Sequence, residues 1–213
     1  MNSQNKAIQI TENVFKKLKL EPGKSELYYA RWIKNEMKRE GAEKEAFSII
    51  VASGKRSALV HGHASRKKID PGDVVMLDFG ASYKGYKADL TRTYFLNKPT
   101  KLQKKIYELV LKAQKAAIKK IKAGVKCKEV DNAARKAIAD SGFGKFFVHT
   151  TGHGVGKRIH QPPKISMRNN NILLEGQVIT IEPGIYLKKW GIRIEDMVKV
   201  TKNGCKVLTR VPK

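Results

Sequence analysis

Carboxylates that interrupt apolar segments restrict the fold of this chain more than any other feature of its sequence. Asp78 follows the segment VVML, Glu182 follows VITI and Glu195 follows GIRI. Each segment has the largely apolar, β-branched composition of a buried strand. Because an unpaired carboxylate is costly to bury, each acid needs a cation, a hydrogen-bond network or a path to solvent.

The histidines of the chain are concentrated in the same way. All five lie in two short segments, VHGH at 60–63 and HTTGHGVGKRIH at 149–160. His149 and His153 are four residues apart, which is the spacing of a helical zinc motif, but the adjacent glutamate of that motif is missing. The interleaved glycines also disfavour a helix. We therefore expect a loop or a strand end here, with backbone that can approach ions or substrate closely.

Acids and one histidine together predict a metal site. Four carboxylates carry the negative charge that two divalent ions would neutralise, and one imidazole beside them suits Mn, Co, Fe or Zn. The two aspartates come from the first half of the chain and the other ligands from the second half, so we expect the site between the halves. The candidate ligands are Asp78, Asp89, His153, Glu182 and Glu195.

Periodicity predicts two copies of one structural unit. Helical spacing of apolar residues indicates helices near 6–19, 25–40, 101–122 and 127–140. Strand-like segments follow each helix pair: FSIIVAS, DVVMLDFGASY and ADLTRTYFL in the first half, then FFVHTT, QVITIEPGIYL and GIRIEDMVKVT. The turn YKGYK should close a hairpin. The repeated order of helix, helix and strands predicts a duplicated α+β fold in one domain over 1–213.

The net charge of +25 is the extreme feature of the composition. Such a field favours contact with nucleic acid, the ribosome or acidic surfaces. Lysines on the solvent face of the helix near 101–122 explain much of the excess without a partner. We favour this explanation because no nucleic-acid-binding motif or aromatic stacking platform accompanies the charge.

Targeting signals are not recognisable in the sequence. It has no apolar run of the roughly 20 residues that span a bilayer, and its N-terminus lacks the pattern of a signal peptide. Cys127 and Cys205 form no CxxC pair. Reduced thiols are typical of the cytoplasm, so we predict a cytoplasmic protein without membrane contact.

The order and spacing of these motifs resemble a known family. The chain is similar to the catalytic domain of the metallopeptidases that include Xaa-Pro dipeptidases, aminopeptidase P and methionine aminopeptidases. The matching motifs are the pair Asp78 and Asp89, the series His149-x3-His153-x6-His160, and Arg193 two residues before Glu195. The segments TIEPGIY and GIRIEDMVKVT look like the Xaa-Pro branch. The resemblance implies the pita-bread (creatinase/aminopeptidase) fold, with a curved, mainly antiparallel sheet.

The resemblance also implies roles for individual residues. The candidate ligands would hold two divalent ions, Mn or Co in first place and Zn or Fe as alternatives, with Asp89 and Glu195 bridging. Glu182 would take the proton of the attacking water. Arg193 would support the site by a charge-assisted hydrogen bond to Glu195 or Asp89. The histidines implied in catalysis and substrate contact are His61 near the scissile amide, His149 and His160.

The expected function is therefore that of a dinuclear metal-dependent exopeptidase that removes the N-terminal residue of a peptide, at Xaa-Pro bonds. Removal of methionine from nascent chains and a non-catalytic basic binding module on the same fold are the alternatives. The chain departs from the family at Gln161, where an acid is usual, and it begins at the first helix of the catalytic domain, so we expect no N-terminal accessory domain. Expected partners are a peptide substrate and, as open options, a second copy in a homodimer and nucleic acid or the ribosome.

Overall fold

Capping side chains define where the helices begin. The computed structural model describes residues 2–213. The side chain of Ser25 accepts a hydrogen bond from Tyr28 N, and Thr100 forms a reciprocal capping box with Gln103. Such caps satisfy backbone N–H groups that a helix end leaves free. The helices are α1 (Ser3–Lys17), α2 (Glu26–Arg39), α3 (Lys101–Lys120) and α4 (Cys127–Ala139).

The strands are short and form two groups, separated by α3 and α4. Those before α3 are β1 (Lys44–Glu45), β2 (Ile50–Ser53), β3 (Val74–Asp78), β4 (Ala81–Tyr83), β5 (Tyr86–Lys87) and β6 (Thr91–Phe95). Those after α4 are β7 (Gly152–Gly154), β8 (Gln161–Ile165), β9 (Val178–Ile181), β10 (Gly184–Tyr186), β11 (Gly191–Arg193), β12 (Asp196–Val200) and β13 (Cys205–Val207). Two 3-10 helices lie at Gly54–Ala58 and Gly144–Phe146.

Antiparallel pairing organises both halves. The first half has a sheet in the order β2-β3-β6, and the second half has a five-stranded sheet in the order β13-β12-β9-β7-β8. Two smaller sheets have the orders β1-β4-β5 and β10-β11. Every named strand pair is antiparallel. The predicted fold class, α+β with mainly antiparallel strands, is confirmed.

Each half buries its own hydrophobic core. Ile10 and Ile33, from α1 and α2, pack with Leu77 of β3 in the first half. Ile106 and Val130, from α3 and α4, belong to the core of the second half. One apolar face on each helix is enough for this arrangement, and the lysines of α3 remain on its solvent side. No helix within residues 2–213 is both long and apolar enough to cross a lipid bilayer.

Strand β6 joins the two halves. Thr93 Oγ1 donates to Arg193 O at 2.9 Å and accepts from Arg193 N at 3.2 Å. The next residue toward the start of β6, Arg92, forms a buried ion pair with Asp196 at 2.9 Å. The end of β3 and the beginning of β12 are thereby brought to one junction.

Local sequence patterns predicted most elements but were wrong about one strand. The helix predictions are confirmed within a few residues, and the turn YKGYK joins β4 to β5 as a hairpin. FFVHTT, in contrast, is not a strand. The carbonyl oxygens of Phe147 and His149 accept hydrogen bonds from Arg135, so they are not available to a sheet. Strand β8 was missed because its two prolines argue against a strand.

Candidate metal and substrate site

Three candidate ligands converge from distant segments. Asp89 lies just before β6, His153 lies in β7, and Glu195 lies between β11 and β12. One ligand atom from each can be chosen so that all three lie within 4.8 Å of one another. All three side chains are buried or nearly so. Candidate ligands from the two halves therefore meet in one cluster.

Glu182 joins this cluster through His153. Its Oε1 atom lies 3.3 Å from His153 Nε2, and Asp89 Oδ2 lies 3.6 Å from the same nitrogen. Thr180 Oγ1 accepts from His153 N and donates to Glu182 Oε1, each at 3.1 Å. His153 Nδ1 lies 3.1 Å from the carbonyl oxygen of Gly154. A carbonyl can only accept, so Nδ1 carries a proton and Nε2 faces the carboxylates.

Asp78 contributes a buried oxygen atom without a hydrogen-bond donor. It is the last residue of β3, where it pairs with Ile50 and Thr91 on the neighbouring strands. Its Oδ2 atom accepts from Arg193 Nη2 at 2.6 Å. Its Oδ1 atom is buried and has no partner within residues 2–213. Buried polar atoms of this kind are uncommon and indicate an absent binding partner.

Arg193 supports the site, but its partner differs from the prediction. We expected a bond to Glu195 or Asp89, whereas the guanidinium bonds directly to Asp78. It reaches Glu195 only through Thr91, because Arg193 Nε donates to Thr91 Oγ1 at 3.1 Å and that hydroxyl donates to Glu195 Oε2 at 2.7 Å. Strand β11 ends at Arg193 and packs against β3, whose last residue is Asp78, so this acid is the one that the guanidinium meets.

The carboxylates of the cluster repel one another. Burial raises the pKa of Asp89 well above its usual value, and the charges of Glu195 and Asp78 add to this rise. Burial raises the pKa of Glu195 in the same way, with contributions from Glu182 and Asp78. Burial alone would also raise the pKa of Glu182, but the hydrogen bond from His153 lowers it to about 2. Four acids in this space are therefore unfavourable without added positive charge.

Divalent cations fit this donor set. The cluster offers carboxylate oxygens and one imidazole nitrogen, which suits Mn, Co, Fe or Zn. The Oδ1 atom of Asp78, which is buried and has no hydrogen-bond donor, could bind such a cation. The bond from His153 Nδ1 to a backbone carbonyl is the kind of outer contact that orients a metal-binding histidine.

His149 lies beside the cluster, with both ring nitrogens engaged. Its Nδ1 atom lies 2.8 Å from Thr150 O, and its Nε2 atom lies 2.8 Å from the hydroxyl oxygen of Tyr186. Nδ1 must therefore donate a hydrogen bond, and Nε2 accepts a hydrogen bond from the hydroxyl group. Tyr186 also accepts from Arg193 Nη1 at 2.8 Å. Burial lowers the pKa of His149 to about 4 and raises that of Tyr186 to about 12, so both are neutral near pH 7.

His160 and His61 form the exposed side of the site. The ring of His160 meets that of His153 edge to face, with centroids 4.4 Å apart. Burial lowers the pKa of His160, and the charge of His153 lowers it further, whereas the charge of Glu182 raises it. Both His61 and His160 are exposed. Their side chains are therefore accessible to a molecule that approaches the cluster.

Sequence reasoning missed three polar residues that connect the candidate ligands. Thr91 bonds to Glu195, Thr180 links His153 to Glu182, and Tyr186 links His149 to Arg193. Thr91 and Thr180 lie in or beside strands that carry ligands, where threonine is an ordinary strand residue. Tyr186 follows Glu182 within TIEPGIY. Its position in that motif was the only available signal.

Comparison with known proteins identifies what the chain is similar to. Residues 3–202 match the sequence model of metallopeptidase family M24. The Xaa-Pro dipeptidase of Pyrococcus horikoshii is 51% identical over 189 residues, which cover 88% of this chain and 54% of that protein. The chain thus spans about half the length of this curated relative.

Solved structures agree in fold. The X-Pro aminopeptidase of Thermotoga maritima superposes with a TM-score of 0.97 at 45% identity, over 99% of this chain and 60% of that one. The prolidase of Pyrococcus furiosus superposes with a TM-score of 0.95 at 46% identity, over 99% of this chain and 64% of that one. The predicted pita-bread fold is confirmed by these likenesses.

Proposed function

The chain belongs to metallopeptidase family M24, and on that premise we propose that it is a dinuclear metal-dependent exopeptidase that hydrolyses Xaa-Pro bonds at the N-terminus of peptides. The observation that carries the proposal is the convergence of Asp89, His153 and Glu195 within 4.8 Å from three distant segments. Relatives named Xaa-Pro dipeptidase, X-Pro aminopeptidase and prolidase support the choice of substrate. Residues 1–213 would provide the catalytic domain.

The metal ligands in this proposal are the five predicted residues. Asp78, Asp89, His153, Glu182 and Glu195 would together hold two divalent ions, manganese or cobalt. Such ions supply Lewis acidity and a nucleophilic water at neutral pH. The pKa values of Asp89 and Glu195, raised by burial and then by the neighbouring carboxylates, support this assignment, because added positive charge would favour their ionised forms.

Glu182 would accept the proton of the attacking water at its Oε1 atom. Thr180 Oγ1 donates to that oxygen at 3.1 Å, which restricts the orientation of the carboxylate. His153 Nε2 lies 3.3 Å from the same oxygen. A general base must be held within hydrogen-bond reach of the proton that it takes, and these two contacts hold Glu182 beside the ligand cluster.

Three histidines would have two different tasks. His61 and His160 are exposed, and His160 lies against His153, so these two histidines would contact the peptide near the scissile amide. His149 would instead orient Tyr186, because both of its ring nitrogens are engaged and its pKa is lowered to about 4. Transfer of a proton by His149 at neutral pH is therefore not part of the proposal.

A substrate panel tests this function. Purified protein loaded with manganese or cobalt should hydrolyse Xaa-Pro dipeptides or longer Xaa-Pro peptides faster than peptides that begin Met-Ala. Asp89→Asn should reduce both metal content and turnover to background, because the variant loses the charge of a proposed ligand but keeps the shape of the side chain. Metal content is measured by elemental analysis and turnover by release of the N-terminal residue.

Asp140→Asn is the control for this variant, because Asp140 is exposed at the end of α4 and pairs with Lys136. It should keep metal content and turnover. The proposal would be contradicted if the wild type showed no turnover with manganese, cobalt, iron or zinc, or if Asp89→Asn remained as active as Asp140→Asn. A preference for Met-Ala peptides would favour methionine removal instead.

A further inference from the structure

Three fully buried acids lie outside the ligand cluster: Asp196, which pairs with Arg92 at the junction, and two acids on helices. Glu26 is the first residue of α2 and Asp131 lies in α4, and both have an exposed fraction of 0%. They therefore occupy the second helix of each half. A buried carboxylate is retained only where several donors compensate for its lost hydration, so the partners of each acid indicate what it does.

Glu26 connects both ends of the loop that carries His61. Its Oε1 atom accepts from Ser53 N at 2.7 Å and from Ser53 Oγ at 2.9 Å. Its Oε2 atom accepts from Ser65 N at 3.0 Å, from Ser65 Oγ at 2.7 Å and from Arg56 Nε at 2.9 Å. Arg56 also donates to the carbonyl oxygen of His63. One carboxylate thus closes the loop 53–65.

Asp131 has the corresponding contacts in the second half. Its Oδ1 atom accepts from Thr151 N at 3.1 Å and from Thr151 Oγ1 at 2.8 Å. Both of its oxygens accept from Arg135, which in turn donates to Phe147 O and His149 O at 2.9 Å each. The guanidinium of Arg135 also lies over the Phe147 ring, 4.2 Å from its centroid. The segment 147–151 is thereby held against α4.

The two arrangements are equivalent in their parts. In each half, a buried acid of the second helix binds a serine or threonine through both its N–H and its hydroxyl group. An arginine bound to that acid also donates to a backbone carbonyl. In the first half this is the carbonyl of His63, two residues after His61, and in the second half it is that of His149 itself. We call the pairs Glu26–Arg56 and Asp131–Arg135 the two clamps.

We propose that Glu26 and Asp131 are positioning residues, and that the two clamps hold the His61 loop and the His149 segment in the geometry that peptide hydrolysis requires. This inference rests on the proposed function, since it concerns the same site. None of the clamp residues is a candidate metal ligand. The His61 side chain is exposed and lies in an irregular loop, so its position depends on the contacts of the loop backbone, which include those of Glu26 at both ends and the bond from Arg193 Nη1 to Val60 O at 3.0 Å.

The effect on rate follows from geometry. A misplacement of about 1 Å by a remote change can cost roughly 100-fold in rate. In Glu26→Gln, an amide group that carries its own protons would face the N–H and O–H donors of Ser53 and Ser65. The loop would lose part of its closure, while the ligand cluster would keep its residues. We expect kcat to fall by roughly 10- to 100-fold, with metal content unchanged.

A double-mutant cycle separates positioning from general destabilisation. We would measure kcat/KM for the wild type, Glu26→Gln, His61→Ala and the double variant, on the Xaa-Pro peptide that the wild type cleaves fastest. If Glu26 acts through His61, Glu26→Gln should change kcat/KM less than about 2-fold in the His61→Ala background. Equal factors in both backgrounds, or an unchanged kcat/KM in Glu26→Gln, would overturn the proposal.

Hydrogen exchange gives a readout that does not depend on activity. Glu26→Gln should accelerate exchange of the Ser53 and Ser65 amides and leave β3 unchanged, and Asp131→Asn should accelerate exchange at Thr151. Glu36→Gln is the matched control, because Glu36 is a largely buried acid of the same helix whose partners are Lys17 and Arg39. Exchange over 53–65 that is the same in Glu26→Gln and Glu36→Gln would contradict the inference. A wild type without turnover would contradict the proposed function instead, and exchange would then decide the positioning role alone.

Discussion

Hydroxyl groups connect site residues that make no direct contact with each other. The Thr91 hydroxyl accepts a hydrogen bond from Arg193 and donates one to Glu195, so it links the guanidinium to a carboxylate that the guanidinium does not contact directly. Tyr186 does the same between Arg193 and His149. Each hydroxyl both donates and accepts, and this capacity lets a single side chain orient two charged or polar neighbours.

The neutral state of His149 predicts a loss of stability in acid. Burial lowers its pKa from 6.5 to about 4, so between these values the unfolded chain binds more protons than the folded protein. The free energy of unfolding therefore falls as the pH decreases through this window. From pH 7 to pH 5 the loss due to His149 should be about 2 kcal/mol.

Urea unfolding of metal-free protein measures this loss. His149→Gln keeps an acceptor for the Tyr186 hydroxyl but has no proton to gain. The wild type should lose about 2 kcal/mol more than His149→Gln over the same pH interval. Equal pH dependence in the two proteins would show that His149 does not titrate in this way.

Close backbone contacts determine how the site-bearing strands pack. Gly152 begins β7, and a Cβ atom at this position would lie 1.9 Å from Thr180 O in β9. The absence of a side chain lets β7 approach β9, which brings His153 beside Glu182. Gly152 is therefore needed for the packing of β7 on β9, whereas the sequence predicted that the glycines of HTTGHGVG allow close approach to ions or substrate.

Gly152→Ala should disrupt this pair of strands. Because the new Cβ would meet backbone atoms that cannot move independently, we expect a loss of at least ~3 kcal/mol in the free energy of unfolding, together with loss of metal binding. Gly204→Ala is the control, since no heavy atom lies within 4 Å of a Cβ built there, and it should change stability by less than about 0.5 kcal/mol. Urea unfolding of both variants measures the difference. Comparable stability of the two would refute the packing argument.

At the scale of the whole molecule, the two halves meet where the acids are most crowded. Asp78 and Asp89 come from the first half, and Glu182 and Glu195 come from the second. Junction contacts such as the Arg92–Asp196 ion pair keep the halves together despite this repulsion. Bound cations would convert repulsion across the junction into attraction, so metal binding should stabilise the entire fold.

Metal removal should therefore lower the melting temperature. At a free metal concentration 100 times the dissociation constant, a ligand specific for the folded state adds about 2.7 kcal/mol. For a chain of this size that corresponds to a shift of roughly 5 to 10 °C. Calorimetry with manganese and with a chelator measures the shift, and Asp89→Asn provides the comparison. A wild-type shift no larger than that of Asp89→Asn would contradict the prediction.

The sequence by itself determined most of the elements and the chemical groups of the candidate ligand set. The apolar stripe of α3 and the Ser25 cap of α2 are local features, and the acids after apolar strands indicated a cation site because burial of charge has a cost wherever it occurs. These inferences need only neighbouring residues.

Only the tertiary structure decided which groups meet. Arg193 bonds to Asp78, 115 residues away, rather than to the nearby Glu195. Arg135 donates hydrogen bonds to carbonyl groups of FFVHTT, which are therefore not available for pairing in a sheet. The clamps of Glu26 and Asp131 likewise join helices to distant loops. Such partners are chosen by proximity after the chain has folded and by the need to satisfy every buried charge, and neither can be read from local sequence.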